Sequence, residues 1–283
     1  MTIALTGTTG AVGGAVLSKL EGSHVLIGRD AAKLAAGHDA RQAAYGDPAM
    51  REALAGVETL FLVSGRESAT RLDEHLAVVD AAVHAGVQRI VYLSFLGASA
   101  ESIFTLGRQH FFTEQAIRAS GLGFTFLRDS FYQDVLPGMV GADGVIRGPG
   151  GTGRISVVAR DDVAEVAAVV LRSAATGVHD GATYDVTGPE ALTLAEIAAE
   201  LQAAAGVPVS FYDETEAEAY ASRARYNAPA FEVEGWVTSY QSFAAGEMSA
   251  VSGDVERVTG RPPSPFAQFL RSHPESFAHL GSK

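Results

Sequence analysis

The chain contains no cysteine. Disulfides, thiol nucleophiles and thiolate metal sites are therefore excluded. Long apolar runs are missing as well. The greasiest stretch, Val163 to Leu171, is interrupted by Glu165 and is far too short to span a bilayer. Positive charge is scarce: 21 lysines and arginines face 33 aspartates and glutamates, for a net charge of -12. That balance argues against nucleic acid or an anionic membrane as partner, because both select basic surfaces. It has no bearing on a phosphate bound by backbone N–H groups. The histidines show no metal-ligand spacing, so no metal is expected. No Gly-x-Ser-x-Gly elbow offers a serine nucleophile, and no Gly-Lys-Ser/Thr follows the glycines to make a nucleotide-triphosphate loop. No leader is read ahead of the first strand, and the cytoplasm is the expected location.

What is present begins at the N-terminus. An apolar strand, Thr2 to Thr6, runs into Gly7-Thr8-Thr9-Gly10-Ala11-Val12-Gly13-Gly14 and then into a helical pattern. A strand, a glycine turn and a helix start form the setting in which Gly-x-x-Gly-x-x-Gly binds the pyrophosphate of a dinucleotide. Gly7 permits the tight turn, Gly10 lets backbone approach the phosphates, and Gly13 lets the helix pack on the sheet. The helix N-terminus aims free N–H groups at the anion. The bland alternative is an ordinary glycine-rich turn, which the flanking strand and helix disfavour.

Strand candidates follow at Val25–Gly28, Ala43–Tyr45, Thr59–Val63, Arg89–Leu93 and Gly123–Leu127. Helical spacing fills the gaps at Val12–Leu20, Met50–Leu54, Leu72–Ala85 and His110–Ala119. Runs apolar on both faces, alternating with helices, call for a doubly wound parallel sheet of Rossmann type. The core is expected over residues 1–190, with the glycine-rich 130–154 as a mobile excursion toward the cleft. Ile155–Val158 reads as a strand, Asp161-Asp162 as the cap of a helix Val163–Ser173, and Thr183–Val186 as a strand rejoining the sheet. Thr193 opens a capping-box helix. Residues 191–283 are expected to form a smaller α/β lobe whose aromatics, Tyr226, Trp236 and Tyr240 among them, are assigned chiefly to its core.

The second strand ends where the adenosine ribose should lie, about twenty residues beyond the glycine turn. Arg29 comes first there and offers a planar fork for the 2′-phosphate of NADP. Asp30 is equally natural as a helix cap. NADPH is therefore the expected cofactor, with NADH the weaker alternative. Asp47 could face the adenine or cap the next helix. Ser64, Gly65 and Ser94 end the fourth and fifth strands on the carboxyl edge, where the cofactor runs.

These residues carry a resemblance. The opening Thr6–Gly13, Gly28-Arg29-Asp30, Tyr45-Gly46-Asp47 and Val91-Tyr92-Leu93-Ser94 resemble the NmrA-like atypical short-chain dehydrogenases, especially their bacterial NADPH-dependent quinone oxidoreductase branch. His110-Phe111-Phe112-Thr113-Glu114, Ser120 to Arg128, Phe131-Tyr132 and Thr259-Gly260-Arg261-Pro262-Pro263 extend it over nearly the full length. The resemblance implies a doubly wound fold, an NADPH site and a substrate cleft under the C-terminal lobe.

The usual catalytic pair of short-chain dehydrogenases is Tyr-x-x-x-Lys, whose members share one helix face. Here the tyrosine position falls on Leu106 and the lysine position on His110. Leucine cannot donate a proton, so tyrosine-driven ketone reduction is not expected. Hydride transfer needs position and orientation, and an electron-poor small molecule such as a quinone accepts it with modest help. His110, Tyr132 and Ser94 are the expected residues around nicotinamide and acceptor, with His110 as donor or ribose holder. Gly7, Thr8, Thr9, Gly10, Ala11, Val12, Arg29, Asp47, Ser64 and Gly65 are expected to hold the cofactor. The rival is a non-catalytic NADP(H) sensor acting through a protein partner, since Leu106 fits both. A homodimer is left open.

Overall fold

The computed structural model describes residues 1–281. In chain order the elements are β1 (Ile3–Thr6), α1 (Ala11–Ser18), β2 (Val25–Gly28), β3 (Asp39–Gln42), α2 (Ala49–Ala53), β4 (Thr59–Val63), α3 (Arg71–Ala85), β5 (Arg89–Phe95), α4 (Thr105–Ala119) and β6 (Gly123–Asp129). There follow β7 (Val145–Gly148), β8 (Arg154–Ile155), α5 (Arg160–Arg172), β9 (Ala182–Val186), β10 (Leu192–Thr193), α6 (Leu194–Ala205) and β11 (Ser210–Asp213). The last helices are α7 (Glu216–Arg223), α8 (Ala230–Ala244), α9 (Asp254–Thr259) and α10 (Phe266–Ser272).

Two compact units share the chain. The first holds residues 1–100, 109–129 and 163–185; the second holds 101–108, 130–162 and 186–281. The units interleave where the sequence suggests a single boundary near residue 190. The reason is strand pairing: β7 pairs with β11 and β8 with β10, which ties 145–155 to the later chain.

The first unit carries the sheet β3-β2-β1-β4-β5-β6-β9. The ladders from β3 through to β6 are all parallel. Strand order reverses between β1 and β4, so the crevice at their carboxyl ends is the ligand position in such sheets. β1, β4 and β5 are buried on both faces because apolar residues run through them without alternation. Their side chains meet Val78, Val79 and Ala82 of α3 and Ile117 of α4 in one apolar cluster. Each such side chain, once buried, contributes about 1.5–3 kcal/mol.

Four expectations need correction. The third strand is Asp39–Gln42, not Ala43–Tyr45. It is an outer strand with a polar, mostly exposed sequence, so it has no apolar signal; Ala43 beyond it is the buried residue. The glycine-rich segment is ordered: Gln133–Met139 forms a 3-10 helix, and β7 pairs in parallel register with β11. Helix α5 starts at Arg160, which puts Asp161 and Asp162 inside its first turn, and Asp162 Oδ2 accepts from Ser264 N at 2.8 Å. The strand expected at Ile155–Val158 is only Arg154–Ile155, with a lone bridge from Val158 to Tyr132. Thr193 does close a capping box with Glu196, and Ala182–Val186 does join the sheet beside β6.

Candidate active site

The turn from β1 to α1 is shaped by its glycines. Gly7 has φ of +67°, a left-handed conformation, and an added Cβ would lie 2.9 Å from Val63 Cβ. At Gly13 an added Cβ would lie 2.3 Å from Gly7 O, so helix and turn touch backbone to backbone. Gly13→Ala must push these apart and is expected to lower the unfolding free energy by about 1–3 kcal/mol, read from urea denaturation. Gly10 is the N-cap of α1 and supplies no side-chain hydrogen bond, which leaves the first-turn N–H groups uncapped. Thr9, Gly10 and Ala11 are exposed, and Val12 is buried. Thr8 Oγ1 is buried with no partner among the described residues. An uncapped helix start, an orphaned hydroxyl and a turn without side chains fit a pyrophosphate.

Around this turn the other cofactor candidates divide. Arg29 is exposed at the end of β2, and among the described residues its guanidinium has no hydrogen bond or ion pair. Asp30 is occupied as a cap, accepting from Ala32 N at 3.1 Å. Asp47 is also a cap, accepting from Ala49 N at 2.8 Å, so the helix-start reading holds for it. Ser64 and Gly65 are half-buried at the end of β4. Gly65 N donates to His75 Nε2 at 2.8 Å, and Gly65 O accepts from Arg71 Nε at 2.8 Å.

Ser94 is not on an open edge. It is fully buried and donates to Glu114 Oε1 at 2.6 Å. Glu114, also fully buried, takes a two-pronged ion pair from Arg128: Nε to Oε1 at 2.8 Å and Nη2 to Oε2 at 2.6 Å. Ser94 thus belongs to a structural ion pair and has no free hydroxyl for chemistry.

His110 is buried, not on the exposed side of α4. Its Nε2 lies 2.7 Å from Arg71 Nη2, and its Nδ1 lies 3.0 Å from the Tyr92 hydroxyl. A guanidinium only donates, so Nε2 accepts and Nδ1 carries the proton toward Tyr92. His75 is fixed by the same logic: Nε2 accepts from Gly65 N, and Nδ1–H donates to Thr113 Oγ1 at 3.0 Å. Thr113 in turn donates to Gln109 O at 2.8 Å. Burial first and Arg71 second lower both imidazole pKa values, His75 to about 3 and His110 well below its usual range. Burial pushes the phenols of Tyr45 and Tyr92 upward. His110 is thereby a neutral, positioned ring and cannot serve as a proton-donating imidazolium.

Arg71 was not singled out from sequence. It is 3% exposed, and besides His110 and Gly65 it donates to Gln109 Oε1 at 3.1 Å. A helix-face signal existed: Arg71 and His75 sit four apart on the stripe that continues through Val78, Val79 and Ala82. Tyr132 lies in the second unit, with Arg160 over its ring at 4.5 Å. Leu106 occupies the first turn of α4, four residues before His110, and brings no acid to that face.

Among the described residues no helix is long and apolar enough to cross a membrane. Residues 7–174 match the family of NAD(P)H-binding proteins. A reductase of (4-alkanoyl-5-oxo-2,5-dihydrofuran-3-yl)methyl phosphate from Streptomyces griseus is 36% identical, with 98% of this chain and 99% of that protein aligned. Quinone oxidoreductase 2 of Escherichia coli is 33% identical, with 98% of each chain aligned. A crystal structure of the NADPH-dependent quinone oxidoreductase from Escherichia coli, complexed with NADPH, superposes with a TM-score of 0.87 at 33% identity, covering 96% of this chain and 99% of that one. The protein is an oxidoreductase of the NAD(P)H-binding family, within the NmrA-like atypical short-chain group that includes the bacterial quinone reductases.

Proposed function

We propose that the protein is an NADPH-dependent reductase that passes hydride directly to a quinone or similarly electrophilic small molecule. The observation that carries this reading is the uncapped β1–α1 turn at the crevice where strand order reverses. Gly7, Thr8, Thr9, Gly10, Ala11 and Val12 hold the pyrophosphate through backbone N–H groups and the Thr8 hydroxyl. Arg29 meets the 2′-phosphate as a planar fork. Ser64 and Gly65 line the path beyond, with Gly65 held from behind by Arg71 and His75. The bound nicotinamide supplies the hydride.

The chain's own residues narrow the acceptor. Leu106 cannot protonate an alkoxide, and His110 is held neutral, its one N–H at Nδ1 donating to the Tyr92 hydroxyl. General-acid help worth about 10²–10⁴ in rate is therefore missing on this face. The suitable acceptors are those whose reduced form is a stabilised anion, which quinones and conjugated lactones both satisfy. Such acceptors match the names of the two relatives. Tyr132 is the candidate contact to the acceptor.

The test is loss of NADPH absorbance with the purified protein across a panel of quinones, with NADH run in parallel. Saturable, enzyme-dependent loss that is faster with NADPH is expected. Tight NADPH binding without consumption across the panel would replace this reading with that of an NADP(H) sensor. Arg29→Ala should weaken NADPH by about tenfold or more while changing NADH little, since only the former carries the phosphate. Equal losses for both would remove Arg29 from the cofactor assignment.

A further inference from the structure

Within the second unit lies a cavity of about 1070 Å³. A volume of this size lies just above the range for drug-sized ligands, about 300–1,000 Å³. Its aromatic wall is Phe131, Tyr226, Trp236 and Tyr240. The Tyr226 and Trp236 rings meet at 84° with centroids 5.8 Å apart, which makes a corner. A planar ring entering that corner can stack on one face and meet the other edge-on. Tyr226 is 58% exposed and Val135 39% exposed, so apolar surface here is left for a ligand to cover.

Three arginines line the same cavity, and two are already neutralised. Arg147 donates to both carboxylate oxygens of Asp143, at 3.0 and 2.6 Å. Arg223 donates to the buried Glu214 at 2.8 Å. Arg225 has no ion pair among the described residues. It is exposed, 4.9 Å over the Tyr226 ring, with Nη2 3.0 Å from the Tyr226 hydroxyl. Asp143 is the sole carboxylate among the lining residues, and Arg147 occupies it. In a chain of net charge -12, this rim carries an unspent positive charge beside an aromatic corner.

We infer that this cavity binds planar aromatic oxyanions, with the ring seated against Trp236 and Tyr226 and the anionic substituent on Arg225. The fork of Arg225 donates to two oxygens of a sulfonate or carboxylate, while the ring body displaces water from the corner. Arg225 is then the residue that separates anionic aromatics from neutral ones of the same size. The inference concerns recognition by the second unit and stands whether or not NADPH is consumed.

The chain's single tryptophan, Trp236, lines this cavity, so tryptophan fluorescence gives a signal that originates at its wall. Full-length protein, without any nicotinamide, is titrated with anthraquinone-2-sulfonate and with the neutral 2-(hydroxymethyl)anthraquinone. The sulfonate is expected to bind about tenfold more tightly. Arg225→Gln should erase that advantage, the two ligands then binding alike, since any change from losing the guanidinium over the Tyr226 ring falls on both of them. Arg225→Lys should keep part of the advantage, because the charge stays and the fork is lost. Equal Kd values in the wild type, an advantage that survives Arg225→Gln, or quenching that never saturates would each overturn the inference. Because the titration holds no cofactor, its failure and the failure of the reductase reading are separate observations.

Discussion

Replacing Glu114 with alanine is expected to cost the folded state about 3–5 kcal/mol, enough to unfold much of the population of a marginal domain. Glu114 is fully buried and holds Arg128 with two charge-assisted hydrogen bonds, with Ser94 donating to the same carboxylate. Its removal leaves a guanidinium and a hydroxyl without their acceptor in the sheet–helix interface. Arg128 keeps 23% of its side chain exposed, so water recovers part of the loss and the lower end of the range is expected. Removing both charges should hurt less than removing one. Glu114→Leu combined with Arg128→Met should regain stability relative to Glu114→Ala, because the charge that then lacks Glu114 is Arg118, whose side chain is 34% exposed to water. Urea midpoints of the wild type and the two variants decide it; a double variant as weak as the single one would mean that the ion pair itself holds β5, β6 and α4 together.

The same residues show where sequence stops being informative. The glycine turn was legible because its requirements are local: a left-handed φ at Gly7 and backbone contact at Gly13 fall within seven residues. β1, β4 and β5 were legible because burial on both faces leaves unbroken apolar runs. β3 was not, since an exposed outer strand of Asp39-Ala40-Arg41-Gln42 needs only backbone pairing with β2. The order within 133–148 was hidden by its glycines, because the partner that orders β7 is β11, over sixty residues later. Ser94 was placed at the right strand end, but its hydroxyl is taken by Glu114 on a helix twenty residues away. Tertiary pairing of this kind leaves no mark in local spacing. Arg71 and His75 left a partial one, two polar residues on an otherwise apolar stripe of α3, where a buried network was the available inference.

That network makes the protein sensitive to acid. His75 titrates near 6.5 when unfolded and near 3 when folded, because burial and the adjacent Arg71 disfavour its charged form. Above about pH 7 both states hold it neutral and stability does not change on its account. As pH falls through 6.5 the unfolded chain takes up the proton and the folded chain does not, so stability falls until pH reaches about 3. From pH 6.5 to pH 4 this one residue withdraws about 3 kcal/mol. His110, lowered in the same direction, adds to the loss. Unfolding free energies at pH 7, 5.5 and 4 should therefore drop steeply in the wild type. His75→Gln should start lower at pH 7, having lost the bond to Thr113, and then fall with a shallower slope, since glutamine still accepts from Gly65 N and binds no proton. Parallel curves for the two proteins would place the acid sensitivity elsewhere. The direction also bears on function: His75 and Arg71 grip the N–H and the carbonyl of Gly65, two residues beyond β4 in the segment proposed to line the cofactor. Because the folded protein keeps His75 neutral down to about pH 3, its Nε2 goes on accepting from Gly65 N, and NADPH affinity should hold over the range in which stability falls.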